Sequence, residues 1–250
     1  MQRFKNKNAL ITGGTNGIGF ATAQQFITEG GSTIITGRTE ETVRIAVEKL
    51  GSNAKGIVSN AGKMEDVFAL KELVKKQTPS IDLLFVNAGY GKFASLEDAD
   101  EFHFDELFNM LVKGTFFTVQ QALPLMRKGS AIVLNTSVVT EMPIASFSVY
   151  SAAKSAVRSF IKTFAAECTD KGIRVNGISP GYISTNGFNN TGLSQEQIDG
   201  TIQSIIPTIP FKRFGEPSEI ANAVLFLASD EAAYIHATEL KVDAGVSTIG

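Results

Sequence analysis

Asn8-Ala-Leu-Ile-Thr12 runs directly into Gly13-Gly14-Thr15-Asn16-Gly17-Ile18-Gly19, and Phe20 to Glu29 continues with the pattern of an amphipathic helix. The apolar run reads as a buried strand. Glycines at 13, 17 and 19 in a strand-to-helix turn permit a tight bend, let main-chain N–H groups approach a pyrophosphate, and let the helix pack closely on the sheet. Strand, glycines and helix in this order open a βαβ unit that binds a dinucleotide, here with the spacing Gly-x-x-x-Gly-x-Gly. Thr15, Asn16 and Ile18 lie within the turn and join its glycines as candidate cofactor contacts.

Working outward, short apolar runs alternate with longer amphipathic ones. Further strands are expected at Thr33 to Thr36, Lys55 to Val58, Leu83 to Val86, Ala131 to Asn135, Arg174 to Ile178 and Glu239 to Val242. The alternation predicts an α/β fold: a doubly wound parallel sheet of about seven strands with helices on both faces. A chain of 250 residues, 43% apolar, fits one domain spanning 1–250, and it contains no repeats or Pro/Gly-rich linkers.

The net charge of −2 is scattered, with no basic stripe for nucleic acid or an anionic membrane. The expected partner is a small molecule. Cys168 is the single cysteine, which excludes an internal disulfide and fits a reducing compartment; it is expected to pack as a small apolar residue. Met1 to Asn8 lacks an apolar signal core and no stretch is long enough to span a bilayer, so a cytoplasmic protein is expected. His103 and His236 lack metal-ligand spacing, and no metal is expected.

After the second strand the chain reads Thr36-Gly37-Arg38-Thr39. An acid there would bind the ribose hydroxyls of NAD and repel a 2′-phosphate; Gly37 leaves room and Arg38 offers a planar cation, which favours NADP(H). Farther on, Ser148-Val-Tyr150-Ser-Ala-Ala-Lys154 begins a helix expected to run to about Asp170. Tyr150 and Lys154, four apart, project from one face, and an adjacent ammonium is expected to lower the phenol pKa toward the range of proton transfer at neutral pH.

Together with the glycine turn, Asn87-Ala88-Gly89, Ser137, Tyr150-x-x-x-Lys154, Pro180-Gly181 and Thr185, including the 13 residues from Ser137 to Tyr150, the sequence resembles the classical short-chain dehydrogenase/reductases over nearly its whole length. The resemblance implies a Rossmann-type fold and hydride transfer between nicotinamide and a ketone or secondary alcohol. In it, Ser137 binds the substrate carbonyl, Tyr150 is the general acid/base, and Lys154 holds the nicotinamide ribose and depresses the Tyr150 pKa. Asn87, with Ala88 and Gly89, braces the sheet beside the cofactor; Pro180, Gly181, Ile183 and Thr185 lie at the nicotinamide. A homotetramer, packed through the long helices after the fourth and fifth strands and the C-terminus, is implied as well.

Three departures stand out. Ser59-Asn60 replaces the family's Asp-Val at the adenine. Val86-Asn87-Ala88-Gly89 shortens its Asn-Asn-Ala-Gly. Leu111 occupies the place of a fourth catalytic residue, an Asn; in a regular helix Asn109 would be turned about 200° away and Leu107, Leu111 and Gly114 would form one packed stripe. The family's water contact there is largely through a main-chain carbonyl, so the reading keeps Leu111 compatible with activity if the helix opens at this point. Residues 186–214 are expected to form a substrate lid, with Phe188, Leu193 and the apolar residues from Ile202 to Phe211 as its lining. The main expectation is an NADP-dependent carbonyl reductase or alcohol dehydrogenase. The competing one is an NADP-binding sensor or scaffold in which Leu111 marks impaired catalysis. A lyase such as a dehalogenase on this fold would be expected to lose the glycines and the lysine, both of which are kept.

Overall fold

Successive side chains of each strand point to opposite faces and build two apolar layers, one on each face of a parallel sheet. In the computed structural model, which describes residues 2–185 and 194–250, the strands are β1 (Asn8–Ile11), β2 (Ser32–Gly37), β3 (Ala54–Val58), β4 (Ile81–Val86), β5 (Met126–Asn135), β6 (Arg174–Pro180) and β7 (Glu239–Val242), all parallel, in the order 3-2-1-4-5-6-7. The helices are α1 (Gly17–Thr28), α2 (Glu40–Leu50), α3 (Met64–Lys75), α4 (Glu101–Phe108), α5 (Gly114–Ala122), α6 (Ser148–Cys168), α7 (Gln195–Ile205), α8 (Pro217–Ala228) and the terminal turn α9 (Val246–Ile249).

Leu10, Leu84, Ile132 and Leu134 pack with Leu70 of α3, Val119 of α5 and Val157 and Phe164 of α6. Their neighbours Ala9, Ile11, Leu83, Phe85 and Val133 pack on the opposite face with Phe26 of α1, Ala46 of α2 and Leu225 of α8. Strands covered on both faces, such as β1 and β4, read as nearly continuous apolar runs. Strand β5 begins earlier than expected, because Arg127, Lys128 and Gly129 are exposed and give no apolar signal. Cys168 is a buried free thiol at the end of α6, as expected.

The strand order turns back at β1. Strands β2 and β3 lie on one side of it and β4 to β7 on the other, so the connections leaving β1 and β4 diverge and open a crevice at the carboxyl ends of the strands. Among the described residues no helix is long and apolar enough to cross a membrane.

Candidate active site

At the end of β1, Gly13 has a left-handed backbone (φ 64°), and a Cβ on Gly19 would lie 2.2 Å from the Gly13 carbonyl oxygen. Only glycine fits either place. Asn16 enters α1 with an extended backbone, and its side chain makes no capping hydrogen bond. The turn is tied to β4: Thr12 Oγ1 accepts from the Asn87 and Ala88 N–H groups at 2.9 and 3.1 Å, and Asn87 Nδ2 donates to Thr12 O (3.2 Å) and Gly13 O (3.1 Å). Asn87 thus holds the two strands that border the crevice.

The other end of the crevice gathers hydroxyls. Ser137, just past β5, caps the short turn Val138–Thr140, its Oγ accepting from Val139 N–H at 3.4 Å, and its hydroxyl lies close enough to that of Tyr150 to favour the phenolate. Lys154 lies one turn along α6, 5% exposed, with Nζ donating to Asn135 O at 2.7 Å. Its ammonium stands over the Tyr150 ring, 5.8 Å from the centroid. Here the expectation for the phenol is corrected: burial pushes Tyr150 up to about 12, the Ser137 hydroxyl offsets this in part, and burial pushes Lys154 down to about 8. Helical spacing makes the two groups neighbours, but the ammonium points past the ring to a main-chain carbonyl.

One cleft of about 580 Å³ runs between these ends. Of the expected site residues, Gly13, Thr15, Asn16, Gly17, Ile18, Arg38, Asn87, Ala88, Gly89, Ser137, Tyr150, Lys154, Pro180, Gly181, Ile183 and Thr185 all line it. Gly19 packs beneath it against Gly13. Arg38 and Lys154 are the only charged side chains among its described lining residues. No group of His, Cys, Asp or Glu among the described residues is arranged to hold a metal ion.

Known proteins resemble this chain over nearly its whole length. The family profile described as enoyl-(acyl carrier protein) reductase matches residues 13–247. An oxidoreductase of Sarocladium schorii is 35% identical over 100% of this chain and 99% of its own. A 3α-hydroxysteroid dehydrogenase of Mediterraneibacter gnavus is 35% identical over 96% of each chain. The L-sorbose reductase of Gluconobacter frateurii, solved with NADPH and L-sorbose, superposes with a TM-score of 0.92 at 30% identity over 99% of both chains.

The chain belongs to the classical short-chain dehydrogenase/reductase family.

In this short-chain dehydrogenase/reductase Leu111 does not lie on a regular helix. Residues Asn109–Lys113 form a π turn between α4 and α5, so the helix opens there, and the 100° per residue used to place Asn109 does not apply. Leu107 and Leu111 do pack together, with Met110, Val149 and Ala153. A Cβ on Gly89 would meet Leu111 Cδ2 at 2.4 Å, and one on Gly114 would meet Ala61 O at 2.3 Å. The two glycines let the opened helix sit against the loops that line the cleft.

Gly37 proves to be a packing requirement as well: a Cβ there would meet Thr15 Cγ2 at 2.5 Å and Val43 Cγ2 at 2.8 Å, so the space credited to a phosphate is partly filled by the protein. Ser59 and Asn60 line the cleft near Arg38. The Arg38 guanidinium carbon stands 5.4 Å from the centroid of the Tyr90 ring, and Tyr90 in turn donates to Glu106 at 2.5 Å. Sequence reading missed Tyr90 although it directly follows Gly89. It also missed Asn135, whose Nδ2 donates to Asn87 Oδ1 at 2.9 Å and whose carbonyl holds Lys154.

Beside Tyr150 the wall is aromatic, with Phe147 and Phe93 in sequence (centroids 5.1 and 4.1 Å apart), and Val138, Val139, Ile144 and Tyr182 complete it. Neither Phe93 nor Phe147 carried a motif. Phe188 and Leu193 lie outside the described residues. Of the stretch from Ile202 to Phe211, Ile205 lines the cleft. Phe211 does not: it is 69% exposed, on a turn closed by Lys212 N–H to Ile209 O at 2.9 Å.

Proposed function

We propose that this short-chain dehydrogenase/reductase is an NADP(H)-dependent reductase of uncharged, apolar ketones, and the dehydrogenase of the corresponding secondary alcohols. The observation that carries it is the Ser137–Tyr150 hydroxyl pair, one helical turn from a buried Lys154, at the apolar end of a dinucleotide-sized cleft.

The residues fit the cofactor. The Gly13–Gly19 cradle is a space that side chains would fill, the α1 N-terminus has no side-chain cap, and Arg38 is an exposed cation where a 2′-phosphate would be read. When bound, NADPH supplies the hydride. Asn87 holds the pyrophosphate turn in place through Thr12 and Gly13, while Pro180, Gly181, Ile183 and Thr185 border the nicotinamide end. Ser137 donates to the substrate carbonyl oxygen, and Tyr150 passes its phenolic proton to the same oxygen as negative charge develops there. With the phenol near 12, the proton stays on Oη until that charge appears. Lys154 then steadies the phenolate and binds the nicotinamide ribose. The aromatic wall beside Tyr150, Phe93 and Phe147 with Val138, Val139 and Ile144, carries no charged side chain and accepts apolar substituents.

The test is calorimetric titration with both cofactors together with turnover on a panel of ketones. Wild type is expected to prefer NADPH, and Arg38→Ala to lose about tenfold or more of that affinity. Tyr150→Phe is expected to abolish carbonyl reduction with NADPH affinity nearly intact, while Lys154→Ala damages both. Equal affinity of wild type for the two cofactors would overturn the NADP assignment, and substantial turnover by Tyr150→Phe would overturn the assigned acid.

A cytoplasmic homotetramer is part of the same proposal. Phe116 and Phe68 are exposed on the α3, α5 and α6 side, edge-on to Phe117, and Phe116 also meets Phe160 and Phe164, an aromatic face suited to burial between subunits. Sedimentation equilibrium measures the assembly, and a monomer at all concentrations would exclude it.

A further inference from the structure

Tyr90, Lys92 and Glu106 have no part in the chemistry above, yet they are tied together at the rim of the cofactor cleft. The Tyr90 hydroxyl donates to Glu106 Oε1 at 2.5 Å, and Lys92 Nζ donates to Glu106 Oε2 at 2.7 Å. Both carboxylate oxygens are thus engaged. Lys92, followed by Tyr90, holds the Glu106 carboxyl below its usual range, and burial followed by the carboxylate pushes Tyr90 up to about 12, so the donor and acceptor keep their roles across neutral pH.

The set joins three elements. Glu106 comes from α4, Tyr90 and Lys92 from the segment after β4, and the half-buried Tyr90 ring meets Arg38 from the end of β2 at 5.4 Å. Strands β2 and β4 flank β1, so this contact reaches from one side of the cleft to the other above the glycine turn. Arg38 makes no ion pair among the described residues. Its charge is available to an anion, while the aromatic face limits the positions a long, exposed side chain can take.

We propose that Tyr90 is a specificity-determining positioning residue: its ring, anchored by Glu106 and Lys92, holds the Arg38 guanidinium for the 2′-phosphate of NADP(H). The inference rests on the cofactor reading given above. It differs from a general packing role because only the phosphorylated cofactor places a charge beside Arg38. Loss of the ring face therefore weakens NADPH and leaves NADH alone.

Calorimetric titration of NADPH and NADH, with thermal unfolding in parallel, on wild type, Arg38→Ala, Tyr90→Leu and Tyr90→Phe tests it. Tyr90→Leu is expected to weaken NADPH at least about threefold with NADH affinity unchanged. Tyr90→Phe keeps the ring but not its anchor and should fall between; it also serves if Tyr90→Leu does not fold. An unchanged NADPH affinity in both Tyr90 variants, with Arg38→Ala still impaired, overturns the role of Tyr90 and leaves the cofactor reading standing. Tighter NADPH binding, or equal loss of both cofactors, overturns it as well. A wild type without preference, or an Arg38→Ala variant without effect, overturns the cofactor reading and this inference together.

Discussion

Lys154 brings an ammonium into a site where its hydrogen-bond acceptor is the Asn135 carbonyl, and burial draws its pKa from 10.5 to about 8. Between those values the unfolded chain holds a proton that the native protein has released, so the native state gains stability as pH rises through the window. The burial penalty is fully present below pH 8. Lys154→Met has no such slope, and urea unfolding of both proteins is expected to shift by about 2 kcal/mol in favour of wild type between pH 7 and pH 9.5. A constant difference would mean that the ammonium is solvated. The Tyr150-x-x-x-Lys154 spacing made the two side chains neighbours, but the protonation of each depends on how much protein closes around it, which spacing does not encode.

The π turn at Asn109–Lys113 is an element that period counting, which assumes a regular helix, could not find; just after it Gly114 passes so close to the Ala61 carbonyl that no Cβ fits. An extra residue per turn takes one main-chain carbonyl out of the regular ladder, so the opening tolerates a leucine at 111. The Leu111 side chain serves the packing instead, 1% exposed among Leu107, Met110, Val149 and Ala153. Leu111→Asn would put an amide into that apolar cluster, and chemical denaturation is expected to show a loss of about 2 kcal/mol. Turnover should change by less than about tenfold, within roughly 1.4 kcal/mol of barrier. A much larger gain in chemistry-limited turnover would show that leucine had interrupted the proton supply and would restore the sensor reading.

Across the whole molecule, the two ends of the sheet divide the work. At the end away from the cleft, Asp82 accepts from Arg127 Nη2 (2.8 Å) and from Asn8 N–H (2.9 Å), with Lys7 Nζ at 3.5 Å, joining β1, β4 and β5. Asp82→Ala leaves the Asn8 donor and two cations without their partner, and a stability loss of about 2 kcal/mol is expected with NADPH affinity unchanged. Cofactor titration checks the second half; a parallel fall in affinity would show that the two ends are coupled. The seven strands, their parallel direction and a ligand cleft at their carboxyl ends were legible in the sequence itself, because strand and helix periods and the glycine turn are local properties of the chain, whereas the strand order was not. The positions of Ser137, Tyr150 and Lys154 were legible too. Tertiary structure alone decided that Arg38 rests on Tyr90, that Phe93 and Phe147 wall the cleft beside Tyr150, that Gly37 packs against Thr15, and that the opened helix at Leu111 sits against Gly89. Each of these is a contact between segments far apart in the chain, and its energy exists only once the sheet has brought them together.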